Sequence, residues 1–113
     1  MAADASQPWG QLDWPRLIDA ARSGENDALG EVFSRLSSYC ALMAGNRLAA
    51  DLASKIGASD IAQKSLLEAF GQFPTFDGNS EAEIRAWLTT IVHHNVLDAA
   101  RHYRDAQRRS VLQ

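Results

Sequence analysis

The chain holds a single cysteine, Cys40. One thiol closes no internal disulfide and builds no cysteine-rich zinc site. Long apolar runs are missing too, and none approaches the roughly 18 residues a helix needs to span a bilayer. The start, Met1-Ala2-Ala3-Asp4, lacks the basic-then-apolar pattern of a signal peptide. The expectation is a soluble, cytoplasmic protein. No stretch alternates apolar and polar residues cleanly over even five positions, so no strand is predicted. There is no internal repeat and no low-complexity segment. Catalytic signatures are equally scarce: no Gly-rich phosphate loop, no nucleophile beside a base, no credible pair of catalytic carboxylates. The chain therefore reads as neither an enzyme nor a cofactor carrier.

What is present suits one helical domain. The 113 residues, 46% hydrophobic, are enough to bury a core without staples. Residues 1–13 are small, polar and aperiodic and read as an unfixed leader, with the folded domain over 14–113. Pro15 suits a first helical turn, and Leu17, Ile18 and Ala21 give a short apolar face. Ser23-Gly24-Glu25-Asn26 breaks that helix. A second helix starts near Asp27, with Leu29, Val32, Phe33, Leu36, Tyr39 or Cys40, and Met43 as its buried stripe, and fades between Arg47 and Leu52. Cys40 reads as a small buried hydrophobe rather than a reactive thiol. Ala53 to Ala58, with Gly57, reads as a connector.

A third helix is predicted from Asp60 to about Gln72. Leu66, Ala69, Phe70 and Phe73 form its apolar stripe, and Asp60, Gln63, Lys64 and Glu68 lie off it. Ser59 or Asp60 is placed to cap its start. Phe73-Pro74-Thr75-Phe76-Asp77-Gly78-Asn79-Ser80 cannot continue a helix. It leads into the capping box Ser80-Glu81-Ala82-Glu83. The fourth helix runs from Glu81 to Arg108, about 42 Å at 1.5 Å per residue. Its stripe, Ile84, Trp87, Leu88, Ile91, Asn95 and Asp98, is apolar for two turns and then polar. A core helix that loses its apolar face is leaving the bundle, so its far end is expected to be exposed. The fold class is thus all-α: a compact bundle of about four helices with a long C-terminal one.

Charge divides along the chain. The whole carries −3, yet residues 85–113 hold Arg85, Arg101, Arg104, Arg108 and Arg109 against Asp98 and Asp105, and residues 1–84 hold six basic and twelve acidic residues. An acidic body with a basic end suggests two different partners. It equally fits a solvated helix end whose arginines favour the negative C-terminal dipole.

The run Asp60-Ile61-Ala62-Gln63, then Phe76-Asp77-Gly78, then Ala86-Trp87-Leu88 with Asn95, Asp98 and Arg101, resembles region 2 of the extracytoplasmic-function (ECF) sigma factors of bacterial RNA polymerase. The likeness covers roughly Leu17 to Arg109. Each motif is weak alone; their order and spacing are the specific part. The resemblance implies a sigma-2 fold and a role in transcription initiation without catalysis. It implies that Asp60, Gln63, Lys64 and Leu67 meet the clamp helices of the polymerase β′ subunit. Asp60 reads alternatively as a plain N-terminal cap. The resemblance also implies that the loop Phe76, Asp77, Gly78, Asn79 and Ser80, with the helix after it, recognises the promoter −10 element, helps open it and holds a flipped non-template base. In that scheme Gly78 allows close backbone approach, Asn79 and Ser80 offer polar edges, and Phe76 offers apolar surface or packs in the core. Ser80 is also the natural N-cap. Trp87 reads as structural, and Asn95 fits either a buried hydrogen-bonding residue or a base contact. Arg85, Arg101, Arg104, Arg108 and Arg109 are candidates for DNA phosphates, though they cannot all lie on one side of a helix.

Two positions depart from the family pattern. Lys64 stands where Glu is frequent, and His94, a candidate base reader, stands where Asn is frequent. The −10 preference is therefore not to be copied from relatives. The implied partners are core RNA polymerase, promoter DNA and, where one exists, an anti-sigma factor. The region 4 domain of full-length members has no counterpart here, so an excised domain of a longer factor is expected. Two rivals remain. A helical adaptor that never meets DNA suits the net acidity. A metal site at His94, Asp98 and His102 has its ligands almost in line over two turns, which does not surround a tetrahedral ion.

Overall fold

The computed structural model describes residues 9–48 and 55–112, apart from the side chain of Leu112. It contains four α-helices: α1, Trp14–Arg22; α2, Asn26–Arg47; α3, Ala58–Gln72; and α4, Glu81–Leu112. Short 3-10 turns cover Trp9–Gln11 and Phe73–Thr75. No strand occurs among the described residues. The expected all-α bundle is the fold observed. α2 packs against α1, α3 and α4, and α3 packs against α4.

α1 has nine residues, shorter than the roughly 12–15 at which an isolated helix becomes even marginal in water. Tertiary contacts stabilise it. Asp13 caps its start, accepting from the Arg16 N–H at 3.2 Å, and Pro15 sits in the first turn. Leu17 and Ile18 are fully buried, and full burial of such a side chain contributes about 1.5–3 kcal/mol. Gly24, at φ +100°, ends the helix. Its N–H donates to Ala21 O at 3.2 Å and the Glu25 N–H to Ala20 O at 3.1 Å, which satisfies two orphan carbonyls.

The described part of the expected leader is tied down. Arg35 Nη2 donates to Trp9 O at 2.9 Å and to Leu12 O at 2.8 Å, and its guanidinium covers the Trp14 ring at 5.2 Å. Residues 1–8 lie outside the described residues, as do 49–52 of the stretch where the second helix was expected to fade and 53–54 of the connector.

The core stripe of α2 is Ala28, Val32, Leu36, Cys40 and Ala44, with Leu29, Phe33, Tyr39 and Met43 flanking it half-buried. α2 contacts α1, α3 and α4, and Ala28, Cys40 and Ala44 on this stripe permit close helix approach, while Val32 and Leu36 fill the space at its centre. Cys40 is fully buried and its thiol contacts Ala62 O at 3.5 Å. Burial pushes that thiol up to about 11, so it stays protonated and inert.

Two details of α3 differ from expectation. Its N-cap is Gly57, with no side-chain cap bond, so Ser59 and Asp60 lie inside the first turn. Its buried face is Ile61, Ala62, Ser65 and Ala69, and Phe70 is 51% exposed. The true stripe is rotated away from Phe70 because α2 and α4 together take the smaller side chains. α4 differs likewise. Ile84, Leu88, Val92, Val96 and Ala100 are buried and Trp87 and Ile91 half-buried, so the apolar face persists to Ala100 before the helix leaves the bundle. From Arg101 to Val111 only Tyr103 and Asp105 are partly covered.

Candidate functional site

Three surfaces carry the candidate residues: one face of α3, the loop 76–80, and the outer side of α4. On α3, Asp60, Gln63, Lys64 and Leu67 recur at i, i+3, i+4 and i+7 and are all exposed, so they form one ridge. Leu67 is 74% exposed. Phe70 extends the ridge by one more turn, its ring tilted against Phe33 at 5.5 Å. A groove of about 380 Å³ separates the start of this ridge from mid-α4, where Asp60 and Lys64 face Asp98 and His102.

The loop alternates. Phe76 and Gly78 are buried, and Asp77 and Asn79 are exposed. The Phe76 ring packs against Phe73 at 6.1 Å and Trp87 at 5.1 Å. The apolar wall expected for a base pocket is therefore turned inward. Gly78 is needed for a close approach, but within the protein: a Cβ added there would lie 2.7 Å from Phe76 Cζ and 2.8 Å from Glu83 Cβ. Its φ is not positive.

Arg22, at the end of α1, holds this loop from behind. Its Nη2 donates to Phe76 O at 3.0 Å and to Gly78 O at 2.6 Å, and its guanidinium lies 5.8 Å from the Phe76 ring centre. Nothing local in the sequence marks Arg22. A basic residue in a last helical turn reads as a partner of the helix dipole, and its carbonyl acceptors lie 54 and 56 positions away.

The capping box forms in a shifted version. Ser80 Oγ accepts from the Glu83 N–H at 3.1 Å and donates to Glu83 Oε1 at 3.1 Å, and the Asn79 N–H donates to the same oxygen at 2.9 Å. The Asn79 N–H first, and then the Ser80 hydroxyl, hold the Glu83 carboxyl below its ordinary range.

Two DNA candidates on α4 have partners within the protein. Asn95, 3% exposed, donates from Nδ2 to Ser65 Oγ at 3.0 Å and Glu68 Oε1 at 2.9 Å. It clamps α3 to α4, and the alternative of a base contact is lost with its burial. Arg85 pairs with Glu81 at 2.7 Å and lies 4.5 Å from the Tyr39 ring centre, so its charge is engaged within the bundle. The Tyr39 hydroxyl in turn meets Thr89 Oγ1 at 2.9 Å.

His94, Arg101, Arg104 and Arg108 are exposed and share one side of α4, at i, i+7, i+10 and i+14. Arg109 is turned about 100° from Arg108, off that side. His94 and Arg101 both reach Asp98, at 3.4 and 3.2 Å, and Arg108 pairs with Asp105. Arg104 makes no ion pair among the described residues. His94 lies 13 residues beyond Glu81, about 20 Å along the axis at 1.5 Å per residue. Loop 76–80 and His94 are thus separate positions along the molecule. Among the described residues, no group of three or more His, Cys, Asp or Glu converges as metal ligands would, and no helix is long and apolar enough to cross a membrane.

The family model for sigma-70 region 2 matches residues 34–109. No curated protein matches the chain, and no solved structure does. The matched span takes in most of α2, all of α3, the loop and nearly all of α4, so the three surfaces described above lie within it. The chain belongs to the sigma-70 region 2 family, the domain of RNA polymerase sigma factors that serves promoter recognition and transcription initiation.

Proposed function

We propose that this is the region 2 domain of an ECF-type bacterial sigma factor that docks through α3 on the β′ clamp helices of core RNA polymerase. The exposed ridge Asp60, Gln63, Lys64 and Leu67 carries the proposal. Leu67 is 74% exposed and takes no part in the core among the described residues, and it is flanked by polar groups able to pair with charges on a coiled coil. Lys64 reverses a charge often found in the family and tunes that contact. An anti-sigma factor, where one exists, is a further partner. Its working place is the bacterial cytoplasm, beside the polymerase.

In the promoter complex, the loop and the outer side of α4 read and help melt the −10 element on the non-template strand. Flipping a base costs a few kcal/mol, which stacking and hydrogen bonds to the base edge must offset. With Phe76 and Asn95 inside the protein, Asp77 and Asn79 on the loop and His94 on α4 are the side chains left to read bases. Arg101, Arg104 and Arg108 meet phosphates, which give position and salt dependence.

The test is a pull-down of core polymerase, or of its isolated β′ clamp helices, by the parent chain and by an Asp60→Ala, Gln63→Ala double variant. Capture by the parent and loss by an equally helical variant is the expected result. A folded parent that captures neither would overturn the docking assignment and favour a helical adaptor.

A further inference from the structure

We propose that Arg22 is a positioning residue for base selection by loop 76–80, acting from a helix that lies outside the matched family segment. The proposal rests on the reading of this loop as part of the −10 recognition surface.

The loop backbone is held on two sides. Arg22 draws the carbonyls of Phe76 and Gly78 onto one nitrogen, at 3.0 and 2.6 Å. Glu83 takes the Asn79 N–H at 2.9 Å. The peptide planes between these points are thereby oriented, and the inward burial of Phe76 and Gly78 leaves Asp77 and Asn79 pointing out. Neither Arg22 bond touches the outward side chains, yet both determine where those side chains begin. A guanidinium is suited to this task because it presents its N–H donors in a fixed plane. It is also little engaged elsewhere: its acidic neighbour Asp19 is 3.9 Å away and its side chain is 74% exposed.

The Arg22 side chain is itself 38% exposed. Water can therefore replace it at the two carbonyls, so its removal loosens the loop without leaving a buried orphan. The consequence is loss of discrimination with retention of fold. A residue that served stability alone would lower the melting temperature and leave base preference untouched.

The experiment compares the parent, Arg22→Lys and Arg22→Ala, each bound to core polymerase, on a panel of non-template oligonucleotides varied one base at a time across the −10 element. The expected result for Arg22→Ala is a roughly tenfold loss of preference at one or two positions, the scale of a single mismatched base. Helical circular dichroism and polymerase capture stay at the parent level, and amide hydrogen exchange quickens at residues 77–79. Arg22→Lys, which keeps a donor without the planar fork, falls between. Parent-like preference in Arg22→Ala overturns the proposal alone. So does a uniform loss on every oligonucleotide with a salt slope lower by about one, which marks a phosphate contact instead. A polymerase-bound parent that binds all oligonucleotides alike overturns the reading of the loop itself, and the proposal with it.

Discussion

Loop 76–80 and the last three turns of α4 invert the usual association of regular structure with rigidity. Over residues 76–79 the loop has one helical-type bond, from the Phe76 N–H to Phe73 O at 2.9 Å, yet an aromatic cluster, one arginine nitrogen and a carboxylate cap hold it. The end of α4 is unbroken helix to Leu112 but is almost entirely exposed beyond Ala100. Local hydrogen bonding shapes the second region, and tertiary contacts shape the first. A side chain on the loop is therefore aimed, which suits base reading. On the helix end, Arg101 and Arg108 touch only carboxylates of their own helix and Arg104 makes no ion pair among the described residues, which suits following a phosphate backbone.

Perturbing the loop should cost far more than perturbing the helix end. Phe76→Ala removes a 6% exposed ring from between Phe73 and Trp87 and should destabilise the domain by about 3–5 kcal/mol in urea unfolding. A loss under about 1 kcal/mol would mean that the ring is not part of the core in solution. Gly78→Ala should cost less, about 1–3 kcal/mol, since Phe76 and Glu83 must shift to admit the methyl group. Wild-type stability for that variant would show that the loop yields more readily than its contacts imply.

Acid should weaken the same region. The Glu83 carboxyl is held below its ordinary range in the folded chain, so the unfolded chain binds its proton first. Its contribution is present above the unfolded value, near 4.3, and fades as pH falls through the folded value. Glu83→Gln should flatten the pH dependence of melting below about pH 5; an unchanged profile would remove Glu83 from that role. Arg104→Ala should have the smallest effect on stability, within about 0.5 kcal/mol, yet it should lower the salt slope of promoter binding by about one. A stability loss comparable to Gly78→Ala would show that the helix end is anchored after all.

Helix number, helix order and the exposed far end of α4 were legible in the sequence because spacing at three and four residues records which side of a helix is buried, whereas the polar turn expected at Asn95 and Asp98 gives way to an apolar face that persists to Ala100. The spacing is less informative about phase. α3 and α4 each carry more apolar residues than one face can hold, so Phe70 was assigned to the core, and Val92, Val96 and Ala100 were not. The ridge of α3 was legible for the same reason in reverse: Asp60, Gln63 and Lys64 are polar at positions that share one face.

By itself, the sequence determined the all-α class, the helical breaks at Gly24 and Phe73–Ser80, the basic end of α4 and the family motifs. These rest on backbone preference and on charges counted along the chain, both local properties. Only the tertiary structure decided the three-dimensional roles of Phe76, Gly78, Asn95 and Arg22. Phe76 and Gly78 face inward because Trp87 and Glu83 stand over them; Asn95 is a clamp because Ser65 and Glu68 come opposite it; Arg22 reaches carbonyls more than fifty residues away. Burial and hydrogen bonding depend on which distant atoms arrive nearby, and only the packing of α1, α3 and α4 around α2 brings those atoms together.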